Sequence, residues 1–222
     1  MIRGLIFDFD GLILNTEEME YAAWEEIFQR HGSHLSEEEW ALSMGRSADS
    51  FDTVGILEQA TGKRYDRAVL KAQAHDRFHY LLSHEPPRPG VLSYLQSARL
   101  IGLPVALATS SSRSWAVGHL TRLDLITYFD VICTAEDVAR VKPDPGLFLL
   151  AAKRLDLPAQ DTVAFEDSAN GVRAAKDAGC YCVAVPHKLS YLDDQNLADR
   201  IIYAMADLPL VDLIDEVNRS LQ

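Results

Sequence analysis

Cysteine is scarce in this chain of 222 residues, with only Cys133, Cys180 and Cys182, and basic side chains are outnumbered 33 to 21 by acidic ones. Three thiols form neither an even disulfide set nor a Cys-x-x-Cys pair, which excludes a disulfide framework and gives no zinc-type spacing. Cys180 and Cys182 alternate with Tyr181 and Val183 in a strand-like run, where free cysteines behave as small buried hydrophobes. No apolar run approaches the roughly 20 residues that span a bilayer, and nothing ahead of the first apolar strand resembles a signal peptide. A reducing cytoplasm is the expected setting. The formal charge of −12 repels nucleic acid and anionic membrane, so neither is an expected partner and a small molecule is favoured. That charge repels an anionic phosphate ester too, so a phosphate site would need local positive field from a metal, a lysine or backbone N–H groups. A monomer is the default.

What is present is an alternation. Short apolar, β-branched runs recur at Gly4 to Phe9, Val105 to Thr109, Val131 to Thr134, Thr162 to Phe165, Cys182 to Val185 and Ile201 to Tyr203, separated by helical patterns. That order predicts an α/β fold with a three-layer, Rossmann-like parallel-sheet core. The first strand stands far from the second, well beyond an ordinary βα connection, so something is inserted between them.

The insert reads as all helix. Asn15 with Glu18 suggests a capping box ahead of Tyr21, Trp24, Ile27 and Phe28 at helical spacing, and Ser36 with Glu39 suggests another. Gly62 ends a further segment, a long helix runs from about Asp66 to Leu82, and Pro86-Pro87-Arg88-Pro89-Gly90 returns the chain. The division is therefore 1–15 plus 86–222 as a catalytic core, and 16–85 as a helical cap. Trp24, Trp40 and Trp115, with Phe28 and Phe78, suit core packing better than a substrate pocket. His75 and His79, four apart on one helix, have metal-binding spacing but no third ligand at a recognisable distance.

Asp8-Phe9-Asp10-Gly11 follows the apolar strand Leu5-Ile6-Phe7, with Thr16 beyond it. Aspartates at i and i+2 leave a strand on the same face, so one carboxylate can act as nucleophile and the other as acid. Gly11 permits a sharp bend and brings its N–H close to a ligand oxygen. Three more pieces fall after later strands, where open α/β sheets place ligands. Thr109 and Ser110 precede a helix and could grip phosphate oxygens. Lys142, in Val141-Lys142-Pro143, could neutralise nucleophile and transferring oxygens together. Glu166 and Asp167 end an apolar strand and could join Asp8 and the carbonyl of Asp10 around magnesium. Singly, each later piece reads equally well as a helix cap, a turn lysine or an acidic helix start; in order, they supply a complete set.

Those four pieces resemble the four motifs of the haloacid dehalogenase superfamily, and the helical insert resembles its β-phosphoglucomutase-like branch. The resemblance implies a magnesium-dependent phosphatase acting on a small phosphorylated metabolite, such as a sugar phosphate, through an aspartyl-phosphate. Asp8 would be nucleophile and metal ligand, and Asp10 general acid/base with its backbone oxygen on magnesium. Thr109 and Lys142 would bind the phosphoryl group, while Asp167, helped by Glu166, holds the metal. The superfamily's dehalogenases lack the second aspartate, so Asp10 favours phosphate chemistry. The runner-up is a sugar phosphomutase, whose first cap helix carries a histidine where this chain has Glu20, and whose cap-loop arginine has no clear match in Gly45-Arg46-Ser47-Ala48-Asp49. A phospho-accepting signalling module uses similar groups, but its acceptor follows a later strand and it has no cap.

Overall fold

The computed structural model describes residues 1–41, 51–189 and 197–221; the cap loop of residues 45–49 lies outside them. The chain divides into two compact units, residues 1–14, 86–187 and 191–222 in one and 15–85 with 188–190 in the other.

In the first unit, short runs build the sheet, the inner ones buried on both faces as parallel strands require. The strands are β1 (Gly4–Phe7), β2 (Val105–Ala108), β3 (Val131–Cys133), β4 (Thr162–Glu166), β5 (Tyr181–Ala184) and β6 (Arg200–Ile201). They pair in the order β3-β2-β1-β4-β5-β6, every pair parallel. β1 is central, with Phe7 level with Leu107 on one side and Phe165 on the other. Helices α7 (Gly146–Arg154) and α8 (Ala169–Asp177) cover one face, packing Leu147, Phe148 and Val172 against Ile6, Ala164 and Cys182. On the other face Phe7 stacks on Phe165 with centroids 4.7 Å apart, and Tyr94 of α5 (Val91–Ile101) meets Phe165 edge-on at 5.5 Å. Each such buried ring contributes about 1.5–3 kcal/mol. Helix α5 packs on α9 (Leu210–Ser220), whose Leu210, Leu213, Ile214 and Val217 recur at helical spacing and are buried. The three layers are therefore α7 and α8, the sheet, and α5 and α9.

The strands stop earlier than the apolar runs suggest. Asp8 and Phe9 lie beyond β1 although Phe9 is fully buried, because the backbone turns at Gly11 (φ +77°). Residues 13, 14, 87 and 88 then meet: Leu14 bridges Pro87 antiparallel, and Arg88 N–H donates to Ile13 O at 2.9 Å. Just after this, Gly90 sits at φ +91°, where a Cβ would come within 2.3 Å of the Ala206 backbone nitrogen. Gly90→Ala is expected to cost more than about 1 kcal/mol from the left-handed backbone alone, with the clash added. Urea denaturation should show a lower midpoint at unchanged slope, and an unchanged midpoint would contradict the close approach.

The second unit contains α1 (Thr16–Arg30), α2 (Glu37–Ala41), α3 (Thr53–Thr61) and α4 (Arg67–His84), and no strand among its described residues. Its core is Trp24, Ile27 and Phe28 of α1, Trp40 of α2, Leu57 of α3 and Leu70 of α4. Those tryptophans are packing residues. Ser36 and Glu39 form the expected reciprocal cap, each side chain bonding the other's backbone N–H at 3.1 Å. Asn15 does not: at φ −78°, ψ 69° it is outside the extended cap geometry and its side chain caps nothing. His75 and His79 meet edge-on, ring centroids 4.2 Å apart, on the exposed side of α4, and among the described residues they belong to no three-ligand group. No helix of the described residues is long and apolar enough to cross a membrane.

Candidate active site

At the carboxyl end of the sheet, Asp8 follows the central strand and fixes its backbone by donating N–H to Phe165 O at 3.0 Å. Glu166 closes β4 and Asp167 follows it, so neighbouring strands deliver three carboxylates to one place. Asp8, Glu166 and Asp167 are buried and present ligand oxygens within 4.8 Å of one another. Two glycines make room. A Cβ on Gly11 would lie 1.9 Å from Asp167 Oδ2, and one on Gly171 would lie 1.9 Å from the Glu166 carboxyl carbon.

Lys142 enters from the loop after β3, its peptide to Pro143 cis. Its ammonium donates to Asp8 Oδ1 and Glu166 Oε1, both at 2.5 Å. Burial would lower the Lys142 pKa, but Asp8 and Glu166 outweigh it and hold the ammonium charged. Burial, reinforced by Asp8, raises both Glu166 and Asp167 above the ordinary carboxylate range, with Lys142 opposing in each case. Three carboxylates facing one ammonium leave the cluster short of positive charge. An all-oxygen donor set of this kind fits a hard divalent cation.

Asp10 is held separately. Ser111 Oγ–H donates to Oδ2 at 2.5 Å and the Trp115 indole N–H to Oδ1 at 2.9 Å. Burial, with Asp8 adding, raises the Asp10 pKa to about 6, against the opposing pull of Ser111 and Trp115. Such a carboxyl can carry a proton near neutrality and give it up.

The remaining expected residues are placed unevenly. Thr109 is buried just after β2, and its Oγ1 accepts from Ser111 N–H at 3.0 Å. Ser110 is exposed. Gly11 N–H, expected to face a ligand oxygen, instead donates to Leu14 O at 2.8 Å; the glycine's contribution is the turn and the space for Asp167. The three thiols are free and buried, and burial raises all three pKa values.

Four side chains at this site escaped the sequence reading. Ser111 and Trp115 bind Asp10. Arg88 donates to the carbonyls of Gly11, Val185 (3.2 Å) and Pro186 (3.0 Å), and its charge opposes the upward shift of Asp167. His187, buried after β5, places Nε2 3.4 Å from Asp167 Oδ2. The available signals were faint: an arginine among prolines, and a tryptophan three residues after the Ser112 cap.

Residues 5–185 match the family described as haloacid dehalogenase-like hydrolase. The chain is 44% identical over 218 residues to YhcW of Bacillus subtilis, provisionally named a phosphatase, covering 98% of this chain and 99% of that one. It is 33% identical over 182 residues to a Thermotoga maritima protein named phosphorylated carbohydrates phosphatase, covering 80% and 82% respectively. A solved Thermotoga maritima structure, provisionally named a β-phosphoglucomutase, superposes with a TM-score of 0.79 at 29% identity, covering 97% of this chain and 100% of that one.

Proposed function

The chain belongs to the haloacid dehalogenase-like hydrolase family, and from that premise we infer that it is a magnesium-dependent phosphatase of small phosphorylated metabolites, working through an aspartyl-phosphate on Asp8. The observation that carries this reading is the pairing of two unlike carboxylates: Asp8 beside Lys142 and the acidic cluster, and Asp10 held apart with a pKa near 6. Different partners around neighbouring carboxyls divide acid from nucleophile.

In this reading Asp8 attacks phosphorus while Asp10 gives its proton to the departing ester oxygen, so the alcohol leaves neutral. Asp10, now a carboxylate, takes a proton from water as that water attacks the phosphoaspartate, and Asp8 and inorganic phosphate are released. Lys142 holds the Asp8 oxygen in place and offsets charge gathering on the phosphoryl oxygens, joined by the Thr109 hydroxyl. Asp8, Glu166 and Asp167, with the Asp10 carbonyl, would hold magnesium, which supplies further neutralisation of the transferring phosphoryl group. The assigned chemistry lies in 1–15 and 86–222, leaving substrate choice to 16–85. Three buried thiols and the acidic surface support a reducing, cytoplasmic setting.

Phosphatase is favoured over mutase by the names of two relatives, and a carbohydrate phosphate by one of them. The test is incubation with β-glucose 1-phosphate and magnesium: glucose plus inorganic phosphate supports the hydrolase, whereas glucose 6-phosphate turns the reading to a mutase.

Chelation provides a second measurement with a defined sign. Removing divalent metal should lower phosphate release by more than about 100-fold, restored by magnesium. In metal-free protein, Asp10 (about 6), Glu166 and Asp167 all have raised pKa values, so the folded state binds protons that the unfolded chain releases. Their favourable contribution is present below the ordinary carboxylate range and lost as pH climbs through the raised values. The metal-free melting temperature should therefore fall from pH 5 to pH 8, and the rise produced by magnesium should be larger at pH 8 than at pH 6. A magnesium shift independent of pH would remove these carboxylates as its ligands.

A further inference from the structure

We propose that Trp115 is the positioning residue that holds the Asp10 carboxyl in the orientation from which it serves the departing ester oxygen. The inference rests on the reading of Asp10 as general acid and extends it to a residue that bonds the Asp10 carboxyl.

The argument starts from donor chemistry. An indole N–H only donates, whereas a serine hydroxyl both donates and accepts. Trp115 faces Oδ1 at 2.9 Å and Ser111 faces Oδ2 at 2.5 Å, so the two oxygens of Asp10 are unequal. Each carboxyl oxygen has two lone-pair sites, so one donor on each leaves a site free on both. Two donors on different oxygens fix the plane and rotation of the carboxyl. When the ester bond to phosphorus breaks, the acid's O–H bond breaks too, and its electron pair stays on the carboxylate, where the indole N–H stabilises the new charge.

Both partners come from one short stretch whose geometry is set locally. Ser112 caps α6 (Arg113–Arg122), accepting from Trp115 N–H at 3.3 Å, which fixes the tryptophan one turn beyond Ser111. His119 packs on the indole at 4.3 Å and lies 6.2 Å from Phe9, while Ala116 and Leu120 are fully buried beneath the helix. The indole is thus braced from its own helix and from the residue preceding Asp10. Ordinary packing explains a half-buried ring but not an N–H aimed at the acid.

The experiment compares Trp115→Phe, which keeps an aromatic ring and deletes the donor, with the unaltered chain on two esters. Glucose 6-phosphate has an alcohol leaving group that needs a proton, whereas 2,4-dinitrophenyl phosphate has one that leaves as a stable anion. Expected is a fall in kcat/KM of about thirtyfold for the sugar phosphate and less than about threefold for the aryl ester. Equal losses on both would reduce Trp115 to a structural residue, and no loss on either would remove it altogether. Failure of the unaltered protein on both esters would instead overturn the phosphatase reading itself.

A second measurement avoids altering the tryptophan. The chain has three indole groups, and in Asp10→Ala one Nε1–H nuclear magnetic resonance signal should move upfield as its charged acceptor disappears. If all three stay in place, the bond and the proposal fall together.

Discussion

Asp8→Asn is expected to abolish magnesium-dependent release of phosphate from para-nitrophenyl phosphate, with a loss exceeding about 10⁴-fold in kcat. The amide has the shape of the carboxylate but cannot form the phosphorylated intermediate. The fold should survive, because the change removes one of three clustered buried carboxylates and leaves Lys142 paired with Glu166; relieving that repulsion should leave metal-free stability equal or higher. Loss of activity with an intact melting transition identifies a chemical role. Turnover within tenfold of the unaltered enzyme would remove Asp8 as nucleophile, and collapse of the fold would show its role to be structural.

Lys142→Met should be damaging in both respects. The ammonium side chain is 6% exposed and bonds Asp8 and Glu166 together. Deleting one partner of a buried ion pair costs about 3–5 kcal/mol, since the remaining charges stay desolvated and unpaired. Metal-free Lys142→Met should therefore unfold at markedly lower urea than the parent, and phosphate release should fall by about 10²–10³-fold. Magnesium should recover part of the stability, because a cation returns charge to the same carboxylates, but not the activity. A variant as stable as the parent and fully active would make Lys142 a bystander.

Asp8 was readable before any coordinates because it lies just beyond an apolar strand, and parallel strands present their carboxyl ends at one edge; Lys142 was marked by the proline beside it in the loop between β3 and α7. Glu166 and Asp167 follow the same rule as Asp8. The sheet itself was legible from β-branched runs, although their ends were not: Phe9 is apolar and buried, yet it belongs to the turn after β1. Hydrophobicity records burial and is silent about which backbone groups pair. The Asn15 cap failed for a related reason, since cap chemistry was present in the sequence and the backbone angle was not. Trp115, Ser111, Arg88 and His187 were hidden differently. The partners of the first two lie 105 and 101 residues away, and no local periodicity encodes a contact that only the closed sheet creates. Trp24 and Trp40, which follow the ordinary rule of core packing, made the exceptional tryptophan look like one more of the same.

The meeting of Leu14 with Pro87, tied by the Arg88 N–H on Ile13, has a consequence for how such a chain can diversify. Departure and return of the intervening segment are separated by a single β-bridge, so a replacement needs only two adjacent ends to be spliced in. Chimaeras exchanging residues 15–85 between relatives should keep the reacting groups in register while acquiring a new appetite for substrates.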